Sequence, residues 1–322
     1  MEDLAAFLNE EIRCGFKISS DMKKAWAISM AVLNKVAKIC RKYGIKYYLD
    51  CGSLLGAVRH GGFIPWDDDI DISVMRKDFE PLMRILAKEL PEPYVVNSIY
   101  TQKGHNTANA AIANRSRIDV GSASDQEISR QFYDLPYVCG IDIYPIDKLP
   151  DDDEELKEFL LLYNIVYFVL FNYDRLAKDG ELEEHLTQVE ELCGVSISRD
   201  SYEKTRDELK FLEARVAGLY ADEDCERCTF IQFSSGINLD TSDLSRMFKK
   251  TEWFEKTVTL PFEHIFLEAP AGYQKLLEFE FGDYMTIRKF TTNHEYPFFK
   301  AQEIKRRQYL GLNCDDVDQM WS

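Results

Sequence analysis

Positive charge is in short supply in this chain. Its 39 lysines and arginines stand against 56 aspartates and glutamates, a formal net charge of −17 over 322 residues. Binding to nucleic acid or to an anionic lipid surface needs Lys and Arg to neutralise phosphates, so neither is expected as a partner. An anionic substrate must instead be held by local arginines or a metal ion, because the overall field opposes it. Long apolar runs are missing too. The most extended, Phe159 to Phe171, is interrupted by Asn164, falls short of a bilayer span and reads as a buried helix. The opening Met1-Glu2-Asp3 has neither the basic region nor the apolar stretch of a signal peptide, so a cytoplasmic location is expected. The eight cysteines form no disulfide framework, which fits reduced thiols. Cys225 and Cys228 make one C-x-x-C without a second pair at zinc-ligand spacing, and coincidence accounts for it.

What the chain does have is material for a core, with 45% hydrophobic residues, enough for one large domain or two smaller ones. The spacing of Met22, Trp26, Met30, Leu33, Val36 and Cys40 predicts a helix over 21–43, capped by Ser20 or Asp21 and ended by Gly44. A strand over 46–50 should run straight into Cys51-Gly52-Ser53, followed by a short helix over 54–59 and a turn at His60-Gly61-Gly62. A helix over 77–90, closed by Pro91, and strands near 94–99, 110–119 and 138–144 complete the front half. From Asp151 the texture becomes helical and highly charged, with one long helix to about Ala177 and more between 182 and 219. Strand content returns at 229–233 and 257–266, and 270–281 reads as helix. The expected fold class is therefore α/β (α+β). A core carrying the chemistry occupies 1–150, and a mainly helical region occupies 151–322, its last elements packing back on the core.

The densest chemical signal is Trp66-Asp67-Asp68-Asp69-Ile70-Asp71. Ile72, Ser73 and Val74 continue it as a strand, and alternation along that strand places Asp67, Asp69 and Asp71 on one face. Carboxylates packed so closely repel unless a proton or a cation sits between them, and hard oxygen ligands suit Mg²⁺ or Mn²⁺. A solvated acidic turn is the alternative, but the apolar residues before and within the run argue for partial burial. Gly52 and Ser53, at a helix start shortly before, have the makings of a phosphate cradle. Asp142 lies between Ile141 and Ile143 in an apolar strand, where an unpaired carboxylate is costly. It reads as a third metal ligand, or as the base that takes a proton from an attacking hydroxyl, with an internal salt bridge as the structural alternative. Asp147 reads as a turn or cap residue. His105, His185, His264 and His294 share no spacing and are given no role.

Residues 52–72, GSLLGAVRHGGFIPWDDDIDI, resemble the signature of the LicD family, which is related to fukutin. Gly140-Ile141-Asp142-Ile143-Tyr144-Pro145-Ile146-Asp147 is similar to a second block of that family, and Phe281-Gly282-Asp283-Tyr284-Met285 to a third, in the same order. The resemblance implies a nucleotidyltransferase-like small mixed sheet flanked by helices. Gly52 and Ser53 would hold phosphate there, and Asp69, Asp71 and Asp142 a divalent metal, Mg²⁺ or Mn²⁺. Asp67 would complete the site, while Asp68, on the other strand face, is the least suited of the run. Arg59 would clamp phosphate oxygens, and Arg115 and Arg117, two apart on a strand, could pair with a diphosphate. The resemblance further implies transfer of a phospho-alcohol, typically phosphocholine, from a CDP-activated donor to a hydroxyl of a glycan or lipid-linked glycan precursor. Membrane proximity would then come through the acceptor. For a choline donor, Trp66, Tyr144, Phe281 and Tyr284 are candidate cation–π walls. Two other readings stay open: a nucleotidyltransferase moving NMP from an NTP to a small molecule, and an inactive nucleotide- or glycan-binding module.

Overall fold

The computed structural model describes residues 4–234, 247–289, 296–317 and 320–321. Met1 to Asp3 and His294, both used in the reading above, lie outside these. A short helix α1 (Leu4–Phe7) and a hairpin of β1 (Glu11–Arg13) and β2 (Phe16–Ile18) precede the first long helix, α2 (Ser20–Tyr43). Every residue of the anticipated apolar stripe is buried, and Gly44 ends the helix in the left-handed conformation. The cap is Ser19, one residue earlier than expected, whose hydroxyl accepts from the Met22 N–H at 3.2 Å. The next elements are β3 (Tyr48–Leu49), α3 (Cys51–His60), β4 (Asp71–Met75), α4 (Arg76–Glu89), β5 (Val95–Asn97), β6 (Ala110–Ala113), α5 (Ala123–Gln131) and β7 (Gly140–Leu149).

These strands form a mixed sheet in the order β3-β4-β7-β6-β5. The β4–β7 pair is parallel and the others antiparallel. Along β4 and β7 the side chains sort by alternation. Ile72, Val74, Ile141 and Ile143 are buried and join the core shared with α2 and α4. Asp71, Asp142 and Tyr144 stand on the opposite, less buried face. An α+β protein with a curled mixed sheet flanked by helices is thus what the chain forms.

β7 continues past the expected end at Tyr144 to Leu149, and Asp147 is inside it rather than in a turn. Its fully buried carboxylate receives two bonds from the Arg76 guanidinium, at 2.5 and 3.2 Å, and one from the Ile231 N–H at 3.0 Å. Beyond β7 come α6 (Asp153–Phe171), α7 (Tyr173–Asp179), α8 (Leu182–Cys193) and α9 (Tyr202–Ala217). They close around a second core with Leu149, Ile231 and Phe248. The expected long helix is broken at Asn172, where α6 and α7 bend by 68°. Among the described residues no single helix is long and apolar enough to cross a membrane, although that bent pair would be by length and composition together. Strands β8 (Arg227–Thr229) and β9 (Lys249–Lys250) extend the far end of β7. The hairpin of β10 (Thr257–Phe262) and β11 (Ile265–Pro270), with α10 (Tyr273–Phe281) and α11 (Lys300–Leu310), completes the chain. Phe262, Leu267, Leu276, Leu277 and Phe299 from this last stretch return to the first core.

Candidate active site

Asp50 leads β3 into α3, and its side chain accepts from the Cys51 N–H at 2.9 Å. Gly52 and Ser53 therefore stand in the first turn of a helix, where backbone N–H groups lack intrahelical partners and the dipole favours anions. Ser53 is buried, and its Oγ accepts from the Asp71 N–H at 2.8 Å, tying α3 to the start of β4. Gly52 faces a cavity of about 630 Å³ together with Arg59, Trp66, Asp67, Asp69 and Asp71. The C-terminal block supplies the opposite wall through Glu280, Phe281, Asp283, Tyr284 and Arg288.

Only Asp71 of the acidic run belongs to β4; Asp67 and Asp69 lie in the extended segment before it, yet all three line the cavity. Trp26 holds this segment in place, its indole N–H donating to the Asp67 carbonyl at 3.1 Å. Asp68 turns elsewhere: its Oδ2 accepts from the Phe298 N–H at 2.6 Å. Asp142 sits directly opposite Asp71 in the parallel register, and the Asn109 side-chain amide donates to its Oδ1 at 3.3 Å. Among the described residues, the acids whose oxygens come within 4.8 Å of one another are Asp67, Asp68 and Asp69. Of the grouping expected from sequence, Asp71 and Asp142 are paired in strand register, Asp69 and Asp71 line the cavity, and Asp142 is not part of the cavity wall. Asp68 is committed to the Phe298 N–H and is absent from the cavity wall, which leaves Asp67, Asp69 and Asp71 facing it.

Electrostatics tie these acids together. Burial, then Asp69 and Asp68, push the Asp67 carboxyl well above its usual range. Burial, then Asp69 and Asp142, do the same to Asp71. Asp142 is raised to about 6, by burial first and by Asp69 second, against the Asn109 hydrogen bond. Asp69 thus bears on both strand acids. The residues fit a divalent cation, since hard oxygens converge where each added negative charge is disfavoured.

Gly52 is part of the fit. A Cβ there would stand 2.5 Å from Asp67 Oδ2. Gly52→Ala is expected to leave the unfolding midpoint nearly unchanged, because alanine favours the helix by about 1 kcal/mol while the displaced carboxylate costs a similar amount. Metal affinity, read by titration with Mn²⁺, should fall about tenfold as Asp67 is moved. Unaltered Mn²⁺ affinity would show that Asp67 takes no part.

Arg59 lines the cavity and its Nη1 donates to the carbonyls of Tyr284 (3.0 Å) and Thr286 (3.4 Å), so it also anchors the C-terminal wall. Arg115 and Arg117 do not reach the cavity. β6 ends at Ala113, so the strand alternation expected of them does not operate. Arg115 is buried against α5, donating to Ser129 Oγ (2.8 Å) and the Asp125 carbonyl (3.0 Å), while the mostly exposed Arg117 pairs with the Asp125 carboxylate at 3.2 Å. Tyr144 packs edge-on against Phe230 and is not part of the cavity wall, whereas Trp66, Phe281 and Tyr284 are.

Two basic residues escaped the sequence reading. Arg288 lines the cavity next to the Gly-Asp-Tyr block, and no spacing singled it out. Lys249 bridges Asp50 (3.4 Å) and the cavity-lining Glu280 (2.5 Å). Burial lowers the pKa of the Lys249 ammonium, but Asp50 and Glu280 outweigh it and the net shift is upward. Nothing in the sequence links residues 50, 249 and 280, so only the fold could reveal this bridge.

A helix N-terminus, an acid cluster and basic residues surround one cavity on a mixed sheet, a set able to hold phosphate groups. Residues 44–129 match the nucleotidyltransferase domain of LicD, FKTN and FKRP. The lipopolysaccharide cholinephosphotransferase LicD of Haemophilus influenzae is 22% identical over 83% of this chain and 92% of its own length. An uncharacterized protein of Rickettsia typhi is 34% identical over 47% of this chain and 54% of its own. The ribitol 5-phosphate transferase FKRP of human is 46% identical over 43 residues, 13% of this chain and 9% of that protein. Residues 44–129 therefore carry a nucleotidyltransferase domain of the LicD/FKTN/FKRP kind, and the similarity to phosphotransferases extends over most of the chain at low identity.

Proposed function

We propose that this protein transfers a phospho-alcohol, such as phosphocholine, from a CDP-activated donor to a hydroxyl of a glycan or glycan precursor, with Mg²⁺ or Mn²⁺ as cofactor. The observation that carries the reading is the placing of Asp67, Asp69 and Asp71 around a cavity backed by Gly52, with Asp142 alongside Asp71. Asp69, Asp71 and Asp142 would hold the metal, with Asp67 completing the set. A divalent ion held by these carboxylates would supply positive charge to offset that of the diphosphate and of the leaving CMP. Arg59 and Arg288 are positioned to meet phosphate oxygens from the remaining sides. The acceptor oxygen forms a bond to the phosphorus bearing the alcohol, the bond from that phosphorus to the CMP oxygen breaks, and the hydroxyl proton passes to a carboxylate. Asp67 or Asp142 would take that proton, whichever of the two is left off the ion. Phe281 and Tyr284 beside Asp283 would suit a cationic alcohol, Glu280 being paired with Lys249.

Thermal-shift titration tests the donor. CDP-choline is expected to raise the unfolding midpoint with Mg²⁺ or Mn²⁺ present, and to do so more than CDP-glycerol, CDP-ribitol or CTP. The shift should vanish in Asp69→Ala. A larger shift with CTP would favour nucleotidyl transfer. No shift with any of the four, despite bound metal, would rule out a CDP-activated donor and favour a binding module.

A further inference from the structure

A transfer reaction needs two substrates, and the structure holds two cavities, the second walled by the loop that leads to Asn109, the hydrogen-bond partner of Asp142. The first is the acid-lined cavity above. The second, of about 230 Å³, is walled by Asn106 and Thr107 of the loop before β6, by Tyr167 and Phe171 of α6, by Arg206 of α9 and by Gln232. Asn109, whose amide holds Asp142, is two residues beyond Thr107 on this same loop. His105 Nε2 ties the loop together, lying 2.9 Å from both the Asn109 carbonyl oxygen and Thr107 Oγ1. The wall of the second cavity and the support of Asp142 are therefore one short piece of chain.

Resting on the transfer reading above, we propose that this second cavity binds a sugar ring of the acceptor glycan. Its lining has the two components such a ring requires. Tyr167 and Phe171 stack on each other with centroids 5.7 Å apart, and Phe171, 74% exposed, offers an apolar face at the rim. Sugar rings present C–H faces that pack on aromatic faces, with hydroxyls around the edge for polar partners. Asn106, Thr107 and Gln232 supply such partners, and the buried Arg206 Nε has no hydrogen-bond partner. Arg206 Nη1 is held at 3.3 Å from Asp174, so the guanidinium is oriented before a ligand arrives. Arg206 and Lys210 line the cavity together with Glu213, so its charges are mixed rather than uniformly basic.

Saturation-transfer NMR with the methyl glycosides of glucose, galactose and N-acetylglucosamine tests the assignment on the full chain. At least one glycoside should bind the wild type, about tenfold more weakly to Phe171→Ala and to Arg206→Met, and equally well to Asp69→Asn. Phe171 is mostly exposed, so its variant should keep the wild-type unfolding midpoint. Equal binding by the wild type and both variants, or no glycoside bound, overturns the proposal. CDP-alcohol thermal shifts on the same proteins separate the two readings. If the shift is absent but glycoside binding depends on Phe171, the transfer reading fails and the sugar site stands. If the shift persists while glycosides ignore Phe171, the sugar site fails alone.

Discussion

Asp71→Asn is expected to reduce transfer about a thousandfold while raising the unfolding midpoint in chelator, an inverse relation between activity and stability. The folded state holds the Asp71 carboxyl well above its ordinary range, through burial first and Asp69 and Asp142 next. An acid whose pKa rises on folding costs stability wherever the unfolded chain would ionise it. Replacing it by a neutral isostere removes that cost. The pH dependence follows from Asp142, ordinarily near 3.8 and here about 6. Its destabilising contribution is absent below pH 3.8, grows between 3.8 and 6, and is complete above, where it reaches about 2–3 kcal/mol. Asp142→Asn should therefore be more stable than the wild type at pH 7 in EDTA and indistinguishable from it near pH 3.5. Melts across that range, with and without Mg²⁺, measure this. A lower midpoint for both variants at pH 7 would mean that the acids are internally compensated and no cation is called for.

Arg76→Met should be the most damaging single change away from the cavity. Arg76 and Asp147 are both buried, and the pair joins the start of α4 to the end of β7. Burial weighs against the charge on Arg76, but Asp147 outweighs it and holds the guanidinium firmly protonated. Removing the arginine leaves a buried carboxylate with only the Ile231 N–H, a loss of about 3–5 kcal/mol. Pairing Arg76→Met with Asp147→Leu should recover much of that loss, because two apolar side chains leave no unpaired charge. Urea unfolding of the four proteins gives the coupling energy. Additive losses would show that the pair contributes nothing beyond its separate contacts. Since Ile231 also belongs to the second core, the single variant is expected to loosen α6–α9 first, visible as early hydrogen exchange in those helices.

Short-range patterns were enough for much of this protein. The spacing of Met22 through Cys40 specified α2, because helical periodicity is a local property of the chain. The run from Gly52 to Ile72 singled out the residues that line the main cavity, because its acids are adjacent and its glycine opens a helix. Alternation around Asp142 marked it as a polar intruder in an apolar strand. Where reading was local but context was tertiary, it faltered. Asp147 looked like a turn residue until Arg76, 71 residues away, supplied its counter-charge inside the sheet. Arg115 and Arg117 looked like phosphate ligands, but β6 stops at Ala113 and α5 brings Asp125 to them. Lys249 and Arg288 had no motif at all. Long-range pairing depends on strand register and on which helix packs where, and these are decided by burying the whole core at once. The sequence by itself determined where the acids and the helix-opening glycine cluster along the chain, because those patterns are local; the tertiary structure decided that Asp71 pairs with Asp142, that the C-terminal block closes the cavity, and that the loop leading to Asn109 walls a second one.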